Sequence, residues 1–144
     1  KDKLNVKDKT LLVKSEDMLK DEGVKYFYNT GREYLEANNK VDEAVSNLQK
    51  AYDYGSDSYL YGHIIFMLGV SYQNKKDINN ALKCYEEYNT KYSNENYIQE
   101  VLYRTAILYK DIDLNKSKEY AKKLMDNYPD CEYANSKIKN ILNK

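Results

Sequence analysis

Apolar residues recur along this chain at intervals of three and four. In "FYNTGREY" (27–34), "FMLGVSY" (66–72) and "LYRTAILY" (102–109) they fall at the spacing of an amphipathic helix. A second set follows each of these: "VDEAVSNLQKAY" (41–52), "INNALKCYEEY" (78–88) and "LNKSKEYAKKL" (114–124). The pattern therefore predicts three helical hairpins in tandem, with a period of about 37 residues.

Small residues sit at fixed places within the pattern. Gly31, Gly69 and Ala106 each lie three residues before a tyrosine, at Tyr34, Tyr72 and Tyr109. In the second set, Ala44, Ala81 and Ser117 take the small position. A glycine inside a helix costs about 1 kcal/mol relative to alanine. Its recurrence calls for a packing reason, and the close crossing of two helices supplies one. Tyr34, Tyr72 and Tyr109 are expected in the core.

Turn residues mark the boundaries. "YGSDS" (54–58) and "YSNEN" (92–96) separate the hairpins, and "KKD" (75–77) and "DID" (111–113) close the second and third. Asp77 and Asp113 are candidate N-caps, since a carboxylate accepts the orphan N–H groups of a first turn. Pro129 ends the sixth helix. Asp130 is then expected to cap a last helix from Cys131 to about Leu142. Leu4, Leu11, Leu12, Met18 and Leu19 predict a further helix from about Lys9 to Lys20. The resulting division is an N-terminal segment and helix at 1–22, repeats at 23–57, 58–94 and 95–130, and a capping helix at 131–142.

These motifs resemble the tetratricopeptide repeat family over residues 24 to 130. The middle repeat carries the pattern through Ile65, Leu68, Gly69, Tyr72, Ala81 and Tyr85, with Tyr88 in place of the second alanine and Ser93 in place of proline. The first carries Phe27, Gly31, Tyr34, Ala44 and Ala51, with one extra residue in "EANNKVD". The third carries Leu102, Ala106, Tyr109 and Pro129, with one residue missing. The "KYSNENY" and "NYPDCEYA" junctions are similar to those of bacterial outer-membrane assembly lipoproteins and Tol-Pal coordinator repeats. The resemblance implies an all-α, right-handed α-solenoid of three such hairpins with an N-terminal helix and a C-terminal capping helix.

The resemblance also implies a binding face, since in this family the first helix of each pair lines a concave groove. The matching positions here are Tyr28, Phe66 and Tyr103, with Arg32, Val70 and Ile107 one turn on and His63 one turn earlier on the second hairpin. Aromatic rings of this kind suit a peptide or protein segment laid in a groove. The same rings could instead pack on one another or on a terminal helix. A carboxylate clamp is not expected. At its sites the chain has Tyr28, Arg32, Met67, Glu100 and Arg104, and Glu100 would repel a carboxylate.

Composition narrows the function classes. Lysine plus arginine and aspartate plus glutamate number 23 each, and the basic runs are short, so no nucleic-acid track is expected. No stretch approaches the roughly 18 apolar residues of a membrane span. Cys84 and Cys131 stand far apart without metal-ligand spacing and read as free thiols, with a disulfide as the alternative in an extracytoplasmic chain. The single histidine has no neighbouring nucleophile pattern, and Glu86-Glu87 and Asp42-Glu43 read as solvated charge. No catalytic residue, cofactor or metal is therefore expected.

The leading expectation is a non-catalytic interaction scaffold with a protein or peptide partner. Two alternatives stay open. One is a signalling-peptide sensor domain of a bacterial regulator, using Asn29 and Asn74. The other is a homodimer or larger homo-oligomer formed through the terminal helices. The chain opens on Lys1 rather than Met. It reads as an excised fragment, extracytoplasmic and membrane-tethered through an upstream segment, or else cytoplasmic.

Overall fold

The structure is a computed structural model that describes the backbone of residues 6–144 and side chains from residue 18 onward. Among the described residues it is all helix, α1 (Val6–Ala37), α2 (Val41–Tyr54), α3 (Tyr61–Asn74), α4 (Ile78–Lys91), α5 (Ile98–Tyr109), α6 (Leu114–Asn127) and α7 (Ser136–Leu142). This is the all-α helical-repeat fold that the periodicity predicts. The chain forms two compact units, Lys1–Ile64 and Ile65–Lys144.

In the first unit, α1 runs unbroken from Val6 to Ala37, so the helix expected at Lys9–Lys20 and the first helix of the first hairpin are one element. Leu4 and the side chains of Leu11 and Leu12 lie outside the described residues. α2 lays Ala44, Val45, Leu48 and Ala51 against α1, a stripe at helical spacing. The helices cross at Gly31, where an added methyl group would fall 2.5 Å from Leu48 Cγ and 3.1 Å from its backbone nitrogen. Val24, Ala51 and Ile64 form the core, packed by Phe27, Tyr28, Tyr52 and Leu60.

In the second unit the crossings repeat with different atoms. A methyl group at Gly69 would lie 2.6 Å from Tyr85 Cε1 and 3.2 Å from Cys84 Cβ. At the third hairpin, Ser117 Oγ donates to the Ala106 carbonyl at 2.6 Å, and both residues are fully buried. That bond satisfies a buried hydroxyl at the contact of α5 with α6.

The turns inside hairpins differ as the residue counts require. After α3, Lys76 takes a left-handed φ of 69°. Its N–H reaches the Gln73 carbonyl, and the Asp77 N–H reaches Tyr72. These two bonds are a Schellman ending. Asp77 then caps α4 by accepting from the Asn80 N–H. The third hairpin is one residue shorter and drops the left-handed residue, with Asp113 still capping α6. The first turn places Asn38 at φ 59°, and Lys40, its N-cap, makes no side-chain bond.

The junctions between hairpins share one geometry. Gly55, Tyr92 and Tyr128 each accept from the residue three ahead, and that residue accepts from the next third residue on, ending at Tyr61, Ile98 and Ala134. This corrects the expected start of the last helix. The third junction carries its two turns through Cys131 to buried Ala134, so Asp130 does not cap a helix at Cys131. Asn135 caps α7 instead, accepting from the N–H groups of Lys137 and Ile138. α7 thus stands where a fourth first helix would begin, and it buries Ile138 and Ile141.

Candidate functional site

The residues predicted for binding divide between the two units, and each unit holds its own cluster. In the first unit, Tyr28, Arg32 and His63 are all half-buried. Arg32 folds back over Tyr28, its guanidinium carbon 5.9 Å from the ring centroid, within cation–π range. The rings of Tyr28 and His63 are 6.4 Å apart and inclined at 59°. Tyr28 also packs on the core of this unit, so part of its ring is structural. Arg32 Nε is buried and has no hydrogen-bond partner. A desolvated donor in that state is unfavourable by itself.

In the second unit, Phe66 is only 9% exposed, because it stacks on Tyr97 with centroids 4.1 Å apart and planes 6° from parallel. Tyr97 belongs to the junction before α5, and its N–H donates to Tyr88 Oη at 3.0 Å. The internal-packing alternative therefore describes Phe66. Val70, Tyr103 and Ile107 are half-buried. Tyr103 lies 5.4 Å from the ring of Tyr133, in the junction before α7.

A polar chain runs beside these rings. Gln73 Oε1 accepts from Tyr85 Oη at 2.7 Å and from Arg104 Nη1 at 3.0 Å. Arg104 Nε donates to Glu100 at 2.8 Å, and Tyr133 Oη donates to the other Glu100 oxygen at 3.2 Å. Burial works against the Arg104 charge, but Tyr85 and Glu100 outweigh it and hold the proton more firmly than usual. The Tyr133 phenol is pushed up by burial and by Glu100. Arg104 is thus engaged on two sides within its own unit.

Sequence reasoning missed Tyr97, Tyr133 and Gln73. The first two close successive junctions 36 residues apart (133 − 97), a recurrence that could have marked them as ring partners. Two further expectations need correction. Tyr34 and Tyr72 are half-buried, whereas Tyr109 is in the core at 6% exposure. Glu86 and Glu87 are not free solvated charge. Glu86 accepts from Tyr109 Oη, which also stacks on Tyr120, and Glu87 pairs with Lys91 at 2.7 Å.

Among the described residues, no cluster of three or more His, Cys, Asp or Glu gathers to hold a metal ion. No helix there is long and apolar enough to cross a membrane. Cys84 is buried and its thiol is pushed up to about 12, by burial first and Glu87 second, while Cys131 is half-buried.

Repeated hairpins with small-residue crossings define a helical-repeat protein. Residues 64–95 and 100–130 match the family model described as tetratricopeptide repeat, and they take in most of the second and third hairpins. Such repeats generally mediate protein–protein interactions and typically form non-catalytic scaffolds. No curated protein matches the chain.

Proposed function

We propose that the chain is a non-catalytic interaction module that holds a peptide or protein segment on the first helices of its hairpins. Tyr28, Arg32 and His63 are the contact cluster of one unit. Val70, Tyr103 and Ile107 are that of the other, where Phe66 is taken up by its stack with Tyr97. The observation that carries this reading is the half-buried cluster of Tyr28, Arg32 and His63, in which the guanidinium folds over one ring and the second ring lies 6.4 Å from the first, an aromatic surface of the kind that anchors a peptide. The junction sequences favour a bacterial extracytoplasmic scaffold as the setting.

The test is selection of a random peptide library on the immobilised chain. Enriched peptides should lose binding to Arg32→Gln, Tyr28→Ala and Tyr103→Ala variants that keep wild-type circular dichroism. Undiminished binding to all three removes these helices as the contact face.

A second reading, self-association, is favoured by one observation. Met18 and Leu19 are 68% and 73% exposed on α1, and Tyr26 is 63% exposed two turns further on. Light scattering decides it: a dimer that Leu19→Glu converts to monomer supports this reading, and a wild-type monomer at high concentration removes it.

A further inference from the structure

Of the 23 basic residues in this chain, only Arg32 and Arg104 are arginine. Arginine differs from lysine in presenting a flat fork of N–H groups that matches both oxygens of a carboxylate. Arg104 uses its fork inside its own unit, on Glu100 at 2.8 Å and on Gln73 at 3.0 Å. Arg32 does not.

The Arg32 guanidinium rests 5.9 Å from the centroid of the Tyr28 ring, and the side chain is half-buried. Of its three nitrogens, Nε alone is both closed to solvent and unbonded. Among the described residues none accepts from the two terminal nitrogens, which therefore stay open to solvent. That outer edge is the part of the fork a partner can meet. Glu36 stands exposed one turn further along α1, but the guanidinium folds the other way, over Tyr28. An arginine four residues before a glutamate is the weaker order for such a pair.

The surroundings of the edge suit a segment that passes over it. Half-buried apolar surface lies on both sides along α1, at Tyr28 one turn before Arg32 and at Leu35 one turn after. The His63 ring extends the near side, 6.4 Å from that of Tyr28. Lys25, exposed one turn before Tyr28, adds a second positive charge to the row.

We infer that Arg32 anchors an aspartate or glutamate side chain within the bound segment, while apolar neighbours of that residue rest on Tyr28 and Leu35. The inference depends on the reading that α1 contributes to the partner face. The two terminal nitrogens donate in parallel to the two carboxylate oxygens. A half-desolvated cation gains more from a carboxylate than from a neutral carbonyl. A segment that covers apolar surface on both sides of Arg32 carries its acid inside the chain rather than at its terminus.

The test selects binders for the immobilised whole chain from two libraries of short peptides with blocked ends. One library fixes Asp or Glu at the centre and the other fixes Asn or Gln. The acidic library should give the tighter binders. Changing the central acid of the best one to its amide should weaken binding about tenfold or more, the equivalent of one charge-assisted hydrogen bond. Arg32→Gln, with an unchanged urea midpoint, should erase that difference, and Arg32→Lys should restore only part of it. Added salt should narrow it. If both libraries bind equally and binding falls on Tyr28→Ala, the partner face stands and the acidic anchor is overturned. Preference for a free C-terminus over a central acid also overturns it. If no binder emerges, or every binder ignores both Tyr28→Ala and Tyr103→Ala, the partner face falls and the anchor with it.

Discussion

Gly69 lies directly against the ring of Tyr85, and the absence of a side chain on one is what admits the other. A methyl group there would stand 2.6 Å from Cε1 and 2.9 Å from Cδ1 of a tyrosine that is itself fully buried. The ring cannot retreat freely, because its hydroxyl donates to Gln73 and the amide oxygen of Gln73 also binds Arg104. One small residue thus links the crossing of α3 and α4 to the polar chain beside the candidate face.

Gly69→Ala should therefore destabilise the chain, although alanine is the better helix former. Overpacking costs about 1–3 kcal/mol, against a propensity gain of about 1 kcal/mol. Gly23→Ala is the contrast, since nothing lies within 4 Å of an added methyl group there, and it should stabilise by up to about 1 kcal/mol. Urea unfolding of the two variants should move the midpoint in opposite directions. A shift of both in the same direction would contradict the crossing.

Helix caps give a second test. Asp77 accepts from Asn80 through both side-chain amide and backbone N–H, and these bonds hold its carboxyl below the ordinary value of 3.8. Its contribution is whole above that ordinary value and is lost as pH falls through the lowered folded value. Asp77→Asn should remove that part of the acid destabilisation, and Asp77→Ala should weaken the fold at neutral pH. Lys40, the N-cap without a bond, offers the converse: Lys40→Asp should add about 1 kcal/mol. Thermal unfolding of each variant across acid and neutral pH measures all three.

What the sequence disclosed was local. Small residues at a fixed period marked Gly31, Gly69 and Ala106 because helix crossing leaves a compositional trace, and Asp77 and Asp113 were readable as caps from the turns around them. The start of α7 was not legible. Asp130 and Asn135 are both acceptable caps by composition, and only the continued double turn through Cys131 and Ala134 decides between them. Of the candidate site, the sequence placed Tyr28, Phe66 and Tyr103 on first helices. It could not show that Tyr97 and Tyr133 fold back from the junctions, since those contacts join residues some thirty positions apart.

Alkaline titration probes the tyrosine packing. An unfolded phenol ionises near pH 10. Tyr85, Tyr88, Tyr109 and Tyr120 are all pushed higher, by burial first, and Glu86 adds to the effect at Tyr109 and Tyr120. Their contribution to stability is whole below about pH 10 and is lost as pH rises from there through the folded values. Tyrosinate absorbance should show some of the 17 tyrosines titrating while the chain stays helical, and the rest ionising together as ellipticity falls. A single wave completed before unfolding would count against the packing.

The two thiols should react at very different rates. The Cys84 thiol is buried and held protonated, with its pKa about 12, while Cys131 is half-buried in the third junction. Only a thiolate attacks disulfide reagents. At neutral pH one equivalent of aromatic disulfide should react quickly and Cys131→Ser should abolish that phase. Cys84 should react only as fast as the chain opens. Two equivalents reacting at one rate would place Cys84 at the surface.

Phe66 separates stability from recognition on the candidate face. Its ring fills a stack with Tyr97, and Tyr97 is tied by its backbone to Tyr88, so the side chain joins α3 to the junction that leads into α5. Truncation removes the ring and leaves a cavity beneath Tyr97. Phe66→Ala should accordingly cost about 3–5 kcal/mol, the range for a buried phenylalanine. Tyr103→Ala, at a half-buried position on α5, should cost about 1 kcal/mol. Loss of a partner on Phe66→Ala alone would reflect the loosened junction, whereas loss on Tyr103→Ala with an unchanged midpoint reports contact. Phe66→Leu, which restores most of the apolar volume, should recover both stability and binding. If Phe66→Ala and Tyr103→Ala unfold at the same denaturant concentration, the Phe66–Tyr97 stack does not brace this unit.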